Sequence, residues 1–570
     1  MGRSPRGCET GCATVRQGKW SCKVVSRGKF GIVLVVLLLL GTAIAAFWWQ
    51  GDPKPNETPK QPPLPQEPFV RAYFNHNRAA EYTEPYRGQT RAGDDLERSI
   101  VSAIERATTR VDVAVQELRL PDIARALVER HQKGVEVRVI LENTYNRPWS
   151  DYTDAELNAM EDRDRQRLRE GRRFIDINGD GSLSSEEIRQ RDALLILQDG
   201  GVPLLDDTAD GSKGSGLMHH KFVIADDRIL IVTSANFTPS GIHGDPGKPA
   251  SRGNANNLLE LESSQLARVF TEEFNLMWGD GPSGRPDSRF GLQKPVRSTR
   301  NVTLGDTSVS VQFSPTSRSR PWEESVNGTI AQVLSGAATS VDLALFVFSE
   351  QALVDVIGDR HRGGVAVRSL IDPSFAFREY SEGLDMLGVA LPNAECEYEA
   401  GNRPWKNAID SVGVPLLPPG DKLHHKFALI DDRITIAGSH NWSAAANTQN
   451  DETVLIVRSP IVAAHFRREF DRLYTDATLG IPGSLQNAVR ERQIECPPPP
   501  TNIQAPVRAK VNVNTATARE LETLPGIGPT LAQNIIATRS QQRFASLEDL
   551  DRVSGIGPAK LEQLRGRVTW

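Results

Sequence analysis

His219 and Lys221 stand two residues apart in LMHHKFVIADD (Leu217 to Asp227), and Asp226 follows near the end of that stretch. His424, Lys426 and Asp431 repeat the spacing in KLHHKFALIDD (Lys422 to Asp432). Downstream of each lies a small polar turn: TSAN ends at Asn236 and GSHN ends at Asn441. The runs after the histidines are β-rich, so positions i and i+2 share one sheet face and each histidine points the same way as its lysine. Lysine, asparagine and serine together make a cationic, donor-rich pocket that suits a phosphate. One histidine can attack phosphorus, and a second can protonate the leaving oxygen. A single motif holds half of that machinery; two motifs facing each other hold all of it. His220 and His425 alternate to the opposite face and read as structural.

The elements that must position these side chains also occur twice. RVDVAVQELRLPDIARALVERHQKGVEVRVILE (Arg110 to Glu142) parallels SVDLALFVFSEQALVDVIGDRHRGGVAVRSLID (Ser340 to Asp372). Each copy is an apolar strand, an amphipathic helix, a glycine stop and a second apolar strand. This is strand–helix–strand, which predicts α/β lobes. NRPW recurs at Asn146–Trp149 and Asn402–Trp405, and GVPLL recurs at Gly201–Leu205 and Gly413–Leu417.

Duplication and spacing together resemble the phospholipase D superfamily and its double HKD signature, over roughly residues 69–475. The resemblance implies two pseudo-symmetric αβα lobes and a metal-independent, two-step phosphodiester cleavage at their interface. It implies a phosphohistidine on one histidine, here assigned to His219, with His424 as the acid that later activates water. Lys221, Lys426, Asn236 and Asn441 would stabilise the developing charge, and Asp226 and Asp431 would support the motif rather than react. The family often has a glutamate after a later asparagine that orients a histidine. Glu452, in NDETVLI (Asn450 to Ile456), fits that place. Aligning Asn256 of NNLLELE with Asn450 puts Leu258 opposite Glu452, with Glu260 as the expected substitute. The longer loop GIHGDPGKPASRG in the first copy is expected at the pocket mouth.

The paired histidines of the two motifs are 205 residues apart (424 − 219), whereas His131 and His361 differ by 230 (361 − 131), so the first copy carries an insertion. It contains DINGDGSLSSEE, Asp176 to Glu187. Asp176, Asn178, Asp180, Ser182 and Glu187 fall at the ligand positions of a calcium loop, with Ser184 at the ninth place and Gly181 at the turn. The stretch resembles a single EF-hand. An unpaired hand suggests a structural Ca2+ clip, and no cofactor is expected for the chemistry.

A chain of 570 residues suggests about three to four folded units. Its net charge of −5 carries no global nucleic-acid signature, so an anionic partner must be held locally. Phe30 to Trp49 has no charged residue and is long enough to span a bilayer, and seven Lys/Arg against one acid precede it. That asymmetry predicts a cytoplasmic N-terminus and an exported body. A cleaved signal at Ala43-Ile44-Ala45 is the alternative, and it exports the body too. Of five cysteines, Cys396 and Cys496 would lie outside; a bridge between them would tie a loop to a linker and is not favoured.

Near the C-terminus, Gly526 and Gly528, then Gly555 and Gly557, each frame a G-I-G between short helices. Glycine lets a backbone approach an anion, and the following helix offers free N–H groups. Residues 508–570 carry nine Lys/Arg and six Asp/Glu. The segment VNVNTATARELETLPGIG resembles a tandem helix-hairpin-helix domain of the ComEA competence DNA receptors, which implies non-sequence-specific duplex binding.

The expected layout is therefore a basic segment 1–29, an anchor or signal 30–49, and a Pro-rich linker 50–68. Lobe 1 spans 69–280 with the insertion at about 154–195, and lobe 2 spans 301–476 after a linker 281–300. A second linker 477–510 leads to an all-α domain 511–570. A membrane-tethered nuclease on DNA is the favoured function, with both half-sites in one chain and a monomer plausible. A phospholipase D acting on membrane phospholipid is the alternative, and a non-catalytic DNA receptor the third.

Overall fold

The computed structural model describes residues 61–570 apart from 213, 400, 497–510, 522, 523, 525, 526, 558, 559, 562, 563, 565 and 566. The basic segment, the apolar segment 30–49 and Gly526 therefore lie outside the described residues. Among the described residues no helix is long and apolar enough to cross a membrane.

Lobe 1 runs β1 (Val70–Phe74), α1 (Leu96–Glu105), β2 (Arg110–Val115), α2 (Pro121–Gln132), β3 (Glu136–Leu141), the insertion with α3 (Asp162–Ile175) and α4 (Ser185–Arg191), β4 (Leu204–Asp206), β5 (Lys221–Ala225), β6 (Ile229–Thr233), β7 (Asn257–Glu262) and α5 (Ser264–Trp278). Local chemistry sets the boundaries. Asp95 caps α1 by accepting from Arg98 N, Pro121 opens α2, and Ser263 caps α5. The strands are rich in valine and isoleucine and are buried on both faces, as a sheet covered by helices requires.

Lobe 2 runs β8 (Arg300–Leu304), β9 (Thr307–Phe313), α6 (Val326–Ser335), β10 (Ser340–Leu345), α7 (Gln351–Arg362), β11 (Ala366–Ile371), β12 (Val412–Val414), β13 (Lys426–Ile430), β14 (Ile434–Gly438), β15 (Thr453–Arg458), α8 (Pro460–Thr475), β16 (Thr478–Leu479) and α9 (Gly483–Glu495). The sheet orders are β1-β7-β6-β5-β2-β3-β4 and β8-β9-β15-β14-β13-β10-β11-β12-β16. Without its edge strands β8 and β16, the second sheet repeats the first strand for strand. The α/β expectation thus holds, including the parallel β2–β3 and β10–β11 pairs made by strand–helix–strand units.

One apolar core joins the lobes. Phe270 of α5 meets Phe313 of β9 edge-on at 5.1 Å, and Phe466 of α8 meets Phe74 of β1 at 5.0 Å. These are equivalent pairs, each built from one residue of each lobe. Further cores lie under the outer helices of each lobe.

Several expectations are corrected. The segment 281–300 is not a free linker: Phe290 and Lys294 are buried, because Lys294 pairs with Glu273 of lobe 1 and Asp451 of lobe 2. The segment 477–510 contains α9, and Cys396 and Cys496 are bridged. The bridge forms because α9 lies against the loop before Cys396, with Arg492 donating to Pro392 O and Gln493 to Ala390 O. The C-terminal unit is not wholly α-helical, since Val511–Asn512 pairs in parallel with Val568–Thr569 and brings its ends together. The loop GIHGDPGKPASRG is pinned from both lobes: the Arg87 guanidinium donates to four of its carbonyls, and Asp421 of lobe 2 accepts from Ser251 Oγ and Arg252 N.

The motif aspartates lie away from the histidines. Asp226–Asp227 and Asp431–Asp432 have φ between 48° and 54°, forming the tight hairpin turns after β5 and β13. Asp226 accepts from Thr108, Thr109 and Arg110 N–H groups and both threonine hydroxyls. Asp431 does the same with Ala338, Thr339 and Ser340. A strand of this length puts them roughly 16 Å from the lysines. Desolvation acts to raise both carboxyls, and these donors outweigh it, so both are held below the ordinary range, Asp226 the further. Asp226→Ala is expected to lower unfolding free energy by about 2 kcal/mol. A depressed pKa stabilises above the unfolded value, so thermal melts should show the full deficit above about pH 4 and a shrinking one below it.

Candidate active site

β5 and β13 each begin at the motif lysine, so the histidine two residues earlier leaves the sheet edge pointing into the seam between the lobes. The backbone there is stitched across the seam. His219 N donates to Asp451 O and Asp451 N to Leu217 O, while His424 N donates to Ala255 O and Ala255 N to Lys422 O. Each motif therefore adds to the segment preceding the last strand of the opposite lobe.

This exchange decides which side chains orient the histidines. His219 Nδ1 lies 2.6 Å from Glu452 Oε2. A carboxylate only accepts, so Nδ1 carries the hydrogen and Nε2 presents a lone pair. Asn450 Nδ2 donates to the other carboxylate oxygen at 3.2 Å. His424 Nδ1 lies 3.0 Å from Asn256 Oδ1. The Asn256 amide is locked, because its Nδ2 donates to Gly241 O at 2.8 Å and its Oδ1 accepts from Ser234 Oγ at 2.7 Å. His424 Nδ1 is therefore a donor too, and both histidines turn Nε2 away from their partners.

The counterpart of Glu452 is thus Asn256, not Leu258, and Asn254 corresponds to Asn450. The repeat slips two residues from the alignment expected. Glu260 does not substitute: it lies on β7, paired with Arg71 and Arg106. Residues missed from sequence include Asn256 and Gln116. Matching Asn254-Ala255-Asn256 to Asn450-Asp451-Glu452 was the available signal, but two nearby asparagines made the frame ambiguous.

The lysines complete the seam. Lys221 Nζ donates to His219 O at 2.9 Å and sits 3.4 Å from Gln116 Oε1, which also accepts from Asn236 Nδ2 at 3.2 Å. Lys426 Nζ donates to His424 O at 2.7 Å. Burial, then Lys221 and Lys426, hold His219 well below the usual imidazole range. Burial, then Lys426, Lys221 and His219, lower His424 in the same way. These mutual influences place all four groups within electrostatic range. Burial lowers the Lys221 ammonium to about 7. Asn236 and Asn441 each keep a buried Oδ1 with no partner. The imidazoles, ammoniums and amides gathered at the seam can bind a phosphate diester and move protons at two of its oxygens.

His220 and His425 are staples between the lobes. His220 spans Thr453 Oγ1 and Glu273, and His425 spans Asn257 Nδ2 and Glu469.

In the insertion, Asp176 accepts from Gly179 and Gly181 N, Asn178 from Asp180 N, and Asp180 from Ser182 N. Glu187 accepts from Ile177 and Asn178 N and completes the capping box of α4 with Ser184. The oxygen donors suit a hard cation, and those of Asp176, Asn178, Asp180 and Glu187 also accept from the loop's own amides. Among the described residues no group of three acidic, histidine or cysteine side chains is arranged to hold a metal. In the C-terminal unit Gly528 caps the helix Pro529–Gln541, Gly555 has φ of 95°, and the space where Cβ atoms of Gly528 and Gly557 would stand is open.

The family model described as Cardiolipin synthase, PLD-like domain matches residues 100–278 and 330–474, together more than half of the chain. The helix-hairpin-helix motif model matches residues 507–569. Mitochondrial cardiolipin hydrolase of Homo sapiens is 30% identical over 156 residues, 27% of this chain and 53% of that protein. ComE operon protein 1 of Bacillus subtilis (strain 168) is 45% identical over 62 residues, 11% of this chain and 30% of that protein. The chain thus spans about half the length, or less, of these curated relatives. The phospholipase D family member Nuc from Salmonella typhimurium aligns with a TM-score of 0.23 at 20% identity, over 38% of this chain and 99% of that one. Phosphatidylserine synthase of Haemophilus influenzae aligns with a TM-score of 0.44 at 13% identity, over 75% and 93%. With the double histidine–lysine seam and a family model that matches more than half of its length, the chain belongs to the phospholipase D-like family, carrying a duplicated PLD-like domain and a C-terminal helix-hairpin-helix motif.

Proposed function

We propose that the protein is an exported, membrane-tethered phosphodiesterase that cleaves DNA through a phosphohistidine. The observation that carries the chemistry is the pair of imidazoles, each with Nδ1–H engaged by the opposite lobe, which leaves Nε2 as the nitrogen with the lone pair. His219 Nε2 attacks phosphorus while the non-bridging oxygens take hydrogen bonds from Lys221, Lys426, Asn236 and Asn441. The P–O bond to the leaving group breaks as His424 gives its Nε2 proton to that oxygen. Neutral His424 then takes a proton from water, the hydroxide bonds phosphorus, and the P–N bond to His219 breaks. Glu452 supports the charge that the phosphorylated imidazole carries. An incoming phosphate offsets the lysine field that depresses His424, raising its proton affinity in the complex.

DNA is favoured over lipid by the C-terminal helix-hairpin-helix segment, which lipid hydrolysis does not need. The apolar segment 30–49 and the similarity to cardiolipin hydrolase favour the lipid reading, so the assay offers both substrates. The Cys396–Cys496 bridge supports export, because disulfides persist in oxidising compartments. The calcium loop serves as a clip on lobe 1 and takes no part in the chemistry.

In EDTA, the full chain in detergent is expected to cut plasmid DNA and to leave cardiolipin vesicles unhydrolysed; the reverse result overturns the DNA reading. His219→Ala should abolish turnover. His424→Ala should release one equivalent of 4-nitrophenolate from bis(4-nitrophenyl) phosphate, which needs no acid, and retain the adduct on His219 by mass spectrometry. Glu452→Gln should lower kcat about 10- to 100-fold.

Lys221 binds phosphate as an ammonium, so kcat/KM should fall as pH rises through about 7. Lys221→Arg, slower overall, should lose the part of that limb set by Lys221 and keep the part set by Lys426, whose ammonium burial and then Lys221 also hold well below its ordinary range.

At a hundredfold excess over its Kd, Ca2+ should stabilise lobe 1 by about 2.7 kcal/mol, read as a rise in Tm that Asp176→Ala removes. An unchanged Tm leaves the loop a self-satisfied turn.

A further inference from the structure

The two half-sites differ at one position beside each lysine. Gln116 and Phe346 are equivalent: each follows the inner strand and donates its backbone N–H to the carbonyl of the second motif histidine. In lobe 1 that position is polar and occupied, with Gln116 accepting from Lys221 and Asn236. In lobe 2 it is an aromatic ring. Phe346 lies 4.9 Å from the His424 ring, with Lys426 Nζ 4.9 Å and Lys422 Nζ 5.7 Å from its centroid. Phe375 stands behind it at 4.8 Å, edge to face, and both rings are partly exposed. The lobe 1 equivalent of Phe375 is Tyr145, whose face is covered by the Arg167 guanidinium at 4.6 Å. The seam thus has a saturated polar side and an aromatic, cationic side, and the aromatic side adjoins the histidine assigned to the leaving oxygen.

We propose that Phe346, backed by Phe375, forms a subsite for the nucleobase on the leaving-group side of the scissile phosphate, so that DNA is cleaved where it is single-stranded or unpaired. This rests on the DNA reading above and deepens it. The Lys426 and Lys422 ammoniums stand over the Phe346 ring, and once a flanking phosphate draws them off, that face receives a stacked base, whatever its identity. In a duplex the same base is paired and stacked between neighbours, and reaches a ring beside the reacting phosphate only after it is extruded. Gln116 offers no such face, so the two sides of the phosphate are not interchangeable.

The test uses the full chain in detergent and four 5′-labelled substrates of one sequence: a single-stranded oligonucleotide, its blunt duplex, and two single strands with one abasic residue, immediately 3′ of a chosen phosphate in one and immediately 5′ in the other. Wild type is expected to prefer the single strand to the duplex by at least tenfold and to lose cleavage at the chosen phosphate when the leaving-side residue is abasic. Phe346→Gln, which installs the lobe 1 side chain, should lower kcat/KM about tenfold more on the base-bearing strand than on the abasic one, and Phe346→Trp should restore the difference. Equal losses on both strands would make Phe346 a packing residue for Lys426 and overturn the subsite. Equal cleavage of duplex and single strand by wild type would overturn it as well, while leaving the DNA reading intact. Hydrolysis of cardiolipin vesicles with no cleavage of any oligonucleotide would overturn both.

Discussion

The contact on which the site depends is the buried hydrogen bond from His219 of one lobe to Glu452 of the other. Neither lobe alone contains an oriented imidazole. The carboxylate fixes the tautomer, and a backbone exchange between Leu217–His219 and Asp451 holds the two in register. The same device recurs at His424 and Asn256 with an amide in place of the acid. Separation of the lobes would therefore cost more than apolar surface: it would leave two histidines unaligned and several buried polar groups unpaired. The shared aromatic core, with its equivalent Phe270–Phe313 and Phe74–Phe466 contacts, opposes that separation.

Ion pairs serve the same seam. Lys294, Glu273, Arg297 and Asp451 form a buried cluster that draws the inter-lobe segment into the junction, and Asp451 adjoins Glu452. Burying charges is expensive, and such a cluster is kept when it specifies a geometry. Here it fixes the strand that carries the His219 partner. His220 reaches the cluster through Glu273, so the second histidine of the motif, which faces away from the pocket, still helps to place the first.

Duplication has left symmetry in the backbone and difference in the chemistry. Glu452 against Asn256, and Phe346 against Gln116, make one histidine the better-supported base and leave the other lysine with fewer fixed acceptors. The proposed two-step displacement can use this division, with one imidazole bearing phosphorus while the other carries a proton.

The sequence by itself determined the α/β alternation, the doubling of the chain and the shared aim of each histidine and its lysine, because these follow from periodicities of two and 3.6 residues and from spacings within one motif. It also marked the helix-hairpin-helix segment through its paired glycines. Tertiary structure alone decided that Asn256 rather than Leu258 answers Glu452, that Asp226 and Asp431 pin hairpin turns, that Cys396 meets Cys496, and that Phe346 stands beside His424. The partners His219 and Glu452 are 233 residues apart, and no local pattern encodes their meeting. It is set by how the two lobes pack across a common core, where a shift of two residues ahead of the last strand of lobe 1 exchanges the hydrogen-bonding amide of Asn256 for a leucine.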